Sequence, residues 1–138
     1  MSYSITPVDN GHILLFTMNH DFEPAVDMPQ YLPECYQFLE NGPDPIIIIT
    51  DTTRAPMRNM DDLIQGANSI RTSLAQQINN HPKLLKSITV ISNRIVQVAM
   101  KGLNTATFGF VDVFIATTQD EALELARAAL AEHSPSEL

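Results

Sequence analysis

The sequence predicts a single α/β domain whose mixed sheet has a parallel core. Three observations lead to this class: 138 residues with 44% hydrophobic side chains, a turn signal near the start, and apolar strands that alternate with amphipathic helices. The predicted order is β-β-α-β-α-β-α-β-α. Strands that alternate with helices imply right-handed crossovers between parallel strands, and an opening hairpin adds an antiparallel edge. One domain is expected over residues 1–138, with 133–138 as a loose tail.

The opening hairpin is predicted from Asp9-Asn10-Gly11, because Asn-Gly supplies the positive φ angles that a tight turn needs. The flanking stretches, 3–8 and 12–18, are rich in residues that favour strands. Pro7 has no N–H group, so we expect it at a sheet edge or just before the turn.

The first helix is predicted from about Pro29 or Pro33 to Asn41, since buried-type side chains recur there with helical spacing. These side chains are Leu32, Cys35, Tyr36 and Leu39. Pro33 is expected in the first turn or at a kink. Gly42 is expected to end the helix, as glycine commonly does.

The central strand is predicted over 45–50, where four consecutive isoleucines at 46–49 indicate burial on both faces. A loop over 51–60 and a long amphipathic helix over 61–80 follow, and Pro82 closes this unit. The next elements are a strand over 84–92, a short helix over 94–101 and a strand over 111–117. Thr118 and Glu121 form a capping box for a final helix to about Glu132. Its inward side chains are Ala122, Leu123, Ala126, Ala129 and Leu130.

The charge distribution argues against nucleic-acid binding. Eight Lys and Arg against sixteen Asp and Glu give a net charge of −8, which repels DNA, RNA and anionic lipid. Residues 1–53 carry eight acids and no Lys or Arg, whereas 54–101 carry seven bases and two acids. The middle third could therefore present a basic surface, or the segments could neutralise each other in the fold.

Compartment and cofactor signals are sparse. Cys35 is the only cysteine, which excludes an intrachain disulfide and fits a reducing cytosol. No signal peptide, lipidation motif or membrane-spanning run is present, so a cytoplasmic location is expected. No motif for a cofactor or catalytic centre occurs: the chain has no P-loop, no GxGxxG and no nucleophile elbow.

Three apolar stretches share a pattern with a known family. They are Ile-Leu-Leu-Phe-Thr-Met at 13–18, Ile-Thr-Val-Ile-Ser-Asn at 88–93 ahead of Lys-Gly-Leu at 101–103, and Val-Phe-Ile-Ala-Thr at 113–117 ahead of Asp-Glu-Ala-Leu at 120–123. With the element order over about 3–131, they resemble the STAS domain, named for sulfate transporters and anti-sigma factor antagonists. The resemblance implies a regulatory module without enzymatic activity. Related STAS-like folds lack the phosphoserine and use the surface at the start of the second helix for lipids or other ligands.

The regulatory motif of that family does not carry over. Antagonist STAS domains have an Asp-Ser-Ser-Gly-like stretch at the start of the second helix, where a kinase partner phosphorylates the serine. The corresponding stretch here, Arg-Asn-Met-Asp-Asp-Leu at 58–63, has no Ser, Thr or Gly. Asp61 or Asp62 could imitate a phosphorylated residue, or could simply favour the helix N-terminus electrostatically.

The best candidate site follows the predicted central strand, where open parallel sheets bind ligands. Asp51 could accept hydrogen bonds there, and Arg54 with Arg58 could hold an anion. In the alternative, Asp51 and the threonines cap the loop's own backbone while the arginines face solvent. The methionines of the loop could form an adaptable contact or anchor the loop to the core. The candidate binding residues are Asp51, Thr52, Thr53, Arg54, Met57, Arg58, Met60 and Asp61.

Two other features carry residues that can serve in sites. His20-Asp21-Phe22-Glu23 offers potential metal ligands, but it lacks a second cluster with metal spacing, so no metal is expected. Cys35 lies on the apolar stripe of the first helix and is expected to be packed, not nucleophilic.

Three functions therefore stay open. The first is a non-enzymatic STAS-like regulatory or protein-interaction module without the phosphorylatable serine. The second is a carrier or sensor for a small apolar, amphipathic or lipid ligand, which a large apolar cavity would favour. The third is a small enzyme that uses the 51–62 loop. The expected partners are a protein or a small apolar or anionic ligand, with homodimerisation left open.

Overall fold

The computed structural model describes residues 2–54, 77, 78, 80–91 and 114–133. The strands are β1 Tyr3–Val8, β2 Ile13–Met18, β3 Ile46–Asp51, β4 Leu84–Val90 and β5 Phe114–Ala116, and the α-helices are α1 Pro24–Asn41 and α2 Gln119–His133. The five strands form one sheet in the order β1-β2-β3-β4-β5. β1 is antiparallel to β2, and every other neighbouring pair is parallel. The α/β class and the mixed sheet with a parallel core are confirmed.

Two of the four predicted helices fall mostly on residues that the structure does not describe. The helix predicted over 94–101 lies entirely outside the described residues, and that over 61–80 is described only at residues 77, 78 and 80, of which Gln77 and Ile78 are helical. β4 ends at Val90 and β5 at Ala116, one to two residues before the predicted ends. No described helix is both long enough and apolar enough to cross a membrane.

Within the described ranges, α1 and α2 cover opposite faces of the sheet. Ile46 and Ile48 belong to the cluster under α1, whereas Ile47 and Ile49 belong to the cluster under α2. The four isoleucines are at most 4% exposed, because successive strand residues point to opposite faces and both faces are covered. β3 pairs with β2 on one side and with β4 on the other, so the predicted central strand is confirmed.

The opening hairpin also forms as predicted. Asp9, Asn10 and Gly11 have φ angles of 50°, 62° and 87°, so the whole turn lies in the left-handed region. Its closing strand residues are Val8 and Ile13. β1 lies at the edge of the described sheet and pairs with β2 only. This position suits Pro7, because on the outer side of an edge strand the missing N–H of a proline costs no inter-strand hydrogen bond.

The first helix begins earlier than predicted, at Pro24, so the predicted start at Pro29 or Pro33 is wrong. Pro24 occupies the first turn, where no N–H is needed, and Asp27 Oδ2 accepts a 2.7 Å hydrogen bond from the Glu23 N–H just before it. Pro29 and Pro33 lie inside the helix on its exposed side. The carbonyls that these prolines leave without an N–H partner can then be hydrated, while packing of the opposite side maintains the helix.

Gly42 ends α1, but for a different reason than predicted. Its φ of −89° and ψ of −179° are extended, not left-handed. A Cβ atom at this position would lie 2.6 Å from the Phe38 carbonyl oxygen and 2.9 Å from Ile46 Cδ1, so glycine is required by space. Lys83 Nζ donates to the carbonyls of Glu40 and Gly42 at 2.9 and 3.0 Å. A cation at the helix C-terminus satisfies these carbonyls and neutralises the negative end of the helix dipole, which stabilises the helix.

Candidate functional site

Asp51 lies at the carboxyl end of β3, where it is 6% exposed and aligned with Val90 of β4. Its Oδ1 atom accepts hydrogen bonds from the Thr53 N–H at 2.9 Å and from the Thr53 hydroxyl at 2.6 Å. Its Oδ2 atom accepts from Gln119 Nε2 at 3.1 Å. The carboxylate therefore holds the turn that follows β3 and also joins that turn to α2.

Thr52 ties the same turn to the neighbouring strand. Its N–H and its hydroxyl both donate to the Val90 carbonyl, at 3.0 and 2.7 Å. One step further along the sheet, the Ile91 N–H donates to the Ala116 carbonyl at 2.9 Å. These bonds join the ends of β3, β4 and β5 beyond the regular strand pairing, so this edge of the sheet is tightly held.

Gln119 is a member of this site that sequence reasoning missed. It is the first residue of α2, whose start is capped by a 3.2 Å hydrogen bond from the Glu121 N–H to Thr118 Oγ1. The capping box predicts this helix start correctly, and helices follow parallel strands at their carboxyl edge. The capping box is therefore enough to place Gln119 at the carboxyl edge of the sheet, near Asp51. Its pairing with Asp51, 68 residues away, depends on the strand order.

The eight predicted site residues separate into three groups. Asp51, Thr52 and Thr53 meet at one edge and satisfy each other and the backbone, which is the capping arrangement that the sequence left as the alternative. Arg54 is exposed and forms no ion pair within the described part of the chain. The remaining predicted residues lie outside the described ranges: Met57, Arg58, Met60 and Asp61.

A second feature lies away from the carboxyl ends of the parallel strands, between the edge strand β1 and the C-terminal half of α1. It is an open groove of about 480 Å³, which we call the α1–β1 groove. Its apolar walls are Pro7, Leu14, Phe38 and Pro43, its polar rim is Glu34, Gln37 and Asn41, and glycines 11 and 42 complete it. At the turn, a Cβ on Gly11 would lie 3.2 Å from Pro43 Cδ, so the turn lies close to this wall of the groove.

Glu34 is the ionisable residue in the described part of this lining, and its carboxylate is held in place. The Tyr3 hydroxyl, on β1, donates to Glu34 Oε1 at 2.5 Å. Burial first, and then this contact with Glu34, raises the pKa of Tyr3 to about 12. The phenol therefore remains a donor at neutral pH, and one carboxylate oxygen of Glu34 stays engaged while the carboxylate borders the groove.

A polar cluster joins the end of α1 to the start of β4. His81 is 8% exposed, and its Nδ1 atom accepts a hydrogen bond from the Lys83 N–H at 3.1 Å. The ring proton of His81 is therefore on Nε2, which lies 3.6 Å from Glu40 Oε1. A hydrogen bond from the Tyr36 hydroxyl is the first cause of the lowered pKa of Glu40, and contacts with His81 and Lys83 lower it further. The arrangement anchors the helix end and leaves His81 largely covered.

Cys35 and the 20–23 loop have ordinary structural surroundings. Cys35 is 1% exposed, accepts a hydrogen bond from the Tyr31 hydroxyl at 3.4 Å, and has its pKa raised to about 11 chiefly by burial, so it is packed as predicted. In the loop, Phe22 is buried in the α1-side core, while the other three residues are exposed. Within the described ranges, no three His, Cys, Asp or Glu side chains group as metal ligands.

Comparison of the chain with protein-family models, with curated proteins and with solved structures finds no match.

Proposed function

We propose that this chain is a non-enzymatic, STAS-like regulatory or protein-interaction module that acts in the cytoplasm without serine phosphorylation at 57–63. The observation that carries the proposal is the hydrogen-bonded edge formed by Asp51, Thr52 and Gln119. These groups are occupied in holding β3, β4 and α2 together, which is the task of a scaffold. The single cysteine and the absence of a hydroxyl residue at 58–63 are consistent with it.

The same edge supplies a rigid base for a recognition surface. Thr53 and Arg54 are exposed, and Asp51 holds the backbone of the turn at Thr53, directly before Arg54. An exposed arginine pairs with carboxylate or phosphate groups through charge-assisted, often bidentate, hydrogen bonds. We therefore place the partner contact on the 51–62 loop, with an anionic group of the partner at Arg54 and Arg58.

Site-specific crosslinking in cells tests the proposal. A photoreactive amino acid at position 53 should give a discrete covalent adduct with a partner, whereas the same residue at exposed Glu132 of α2 should not. Arg54→Ala with Arg58→Ala should weaken the adduct at position 53. Arg127→Ala, which removes an exposed arginine from α2, is the matched control.

Adducts of equal yield at both positions, or an adduct at position 53 that survives the double change, would place the partner surface elsewhere. Arg54 is exposed, and exposed charges contribute roughly 0–1 kcal/mol to folding. We expect the double variant to remain folded, and its circular dichroism spectrum checks this.

A second candidate function is a carrier or sensor for a small amphipathic ligand. The α1–β1 groove favours it, since about 480 Å³ with four apolar wall residues falls in the range of ligand pockets. Chemical-shift changes at the amides of Gly11, Phe38 and Gly42 on addition of decanol would support it. Unchanged amides at these three positions would count against it.

A further inference from the structure

The charges around the α1–β1 groove are unbalanced. Among the described residues that line the groove, Glu34 is the ionisable one, and its Oε1 atom is fixed by the Tyr3 hydroxyl. A carboxylate offers about four acceptor sites, so Oε2 of Glu34 retains capacity for a further donor. A ligand that reaches the rim therefore meets a positioned negative charge beside an apolar wall.

Two cations near this end, among the residues that the structure describes, are already engaged. Lys83 Nζ donates to the carbonyls at the end of α1, and Arg127 pairs with Asp9 at 2.9 Å. Residues 1–53, which supply the groove lining, carry eight acids and no Lys or Arg. The Glu34 carboxylate and the acidic excess of this segment attract a cation.

We propose that the α1–β1 groove binds a cationic amphiphile, with its apolar chain on Leu14 and Phe38 and its protonated amine at Glu34. This inference rests on the second candidate function and adds the charge class of the ligand to it. The apolar walls provide affinity for the chain, because burial of apolar surface is favourable in proportion to its area. The fixed carboxylate provides selectivity, because it favours an ammonium group and repels an anionic one.

Three probes with the same alkyl chain separate these contributions: decylamine, decanol and decanoate, each used below its aggregation concentration. Binding is measured by calorimetry and located by the amide shifts of Gly11, Phe38 and Gly42. We expect the amine to bind roughly two- to fivefold more tightly than the alcohol, as an exposed ion pair allows. The carboxylate should bind more weakly than the alcohol.

The variant Glu34→Gln removes the charge while its amide can still accept a hydrogen bond from Tyr3. It should bind the alcohol as the wild type does and should lose the preference for the amine. Asp21→Asn is the matched control, because it removes an exposed acid at the opposite end of β2. The control should keep the preference.

Each outcome has a defined meaning. Equal binding of amine and alcohol at the groove, or a preference that persists in Glu34→Gln, would overturn the cationic assignment and leave the carrier function standing. If none of the probes shifts the groove amides, both the cationic assignment and the carrier function fail.

Discussion

Replacing Gly42 with alanine tests how closely the end of α1 approaches β3. The new Cβ would lie 2.6 Å from the Phe38 carbonyl oxygen and 2.9 Å from Ile46 Cδ1, whereas ordinary contacts begin near 3.4 Å. Ile46 is fully buried and the carbonyl belongs to the last turn of the helix, so neither neighbour can move freely. Overpacking of this kind costs about 1–3 kcal/mol.

An opposing effect makes the net sign informative. The φ of −89° is accessible to alanine, and Gly→Ala at a compatible position stabilises by about 0.4–1 kcal/mol because the unfolded chain loses entropy. The steric cost exceeds this gain, so we expect Gly42→Ala to destabilise the fold by about 1–2 kcal/mol. For a chain of this size, the melting temperature should fall by roughly 3–10 °C.

Urea unfolding followed by far-UV circular dichroism measures this change, with an unaltered m-value as the sign of an unchanged unfolding transition. Ile46→Val removes Cδ1, one of the two atoms in the way, and costs about 0.5–1.5 kcal/mol alone. The double variant should therefore be less destabilised than the sum of the two single variants. If Gly42→Ala is as stable as the wild type or more stable, the close approach of α1 to β3 is wrong.

Three further predictions concern the core. Ile48→Asp should unfold the domain, since an unpaired buried charge costs several kcal/mol and the total free energy of unfolding is about 5–15 kcal/mol. As a control, Ser4→Asp at an exposed position of β1 should melt near the wild-type temperature. The pKa of Tyr3 is about 12 in the folded chain against 10.0 for the free side chain, so stability should fall as pH rises through that window, and Tyr3→Phe should flatten the fall. Cys35 should resist a thiol reagent at mildly alkaline pH until denaturant is added; rapid labelling of the folded chain would contradict its burial.

Local signals in the sequence are sufficient for several elements. The run of isoleucines at 46–49 predicts a strand buried on both faces, and Asn10-Gly11 predicts the hairpin, because strand burial and turn geometry depend on consecutive residues. The capping signal at Thr118 predicts the start of α2 for the same reason. Proline misleads the prediction of α1, since its cost to a helix depends on whether the broken bonds face solvent.

The candidate site is predictable only in part. Asp51, Thr52 and Thr53 can be placed at the carboxyl edge because they directly follow the central strand. Whether their polar groups are free or occupied depends on which strand and helix lie alongside, and the hydrogen bonds to Val90 and Gln119 decide it. A single sequence contains no signal for such a pairing.

The sequence by itself determined the class of the fold, the central strand and the hairpin, since these follow from hydrophobic periodicity and from the backbone preferences of neighbouring residues. The tertiary structure alone decided that Gly42 is required by space and that Asp51 serves as a link to α2. It also decided that Tyr3 and Glu34, 31 residues apart, meet beside an apolar groove. These features depend on distances between elements that are remote in the chain, and such distances arise only when the layers pack.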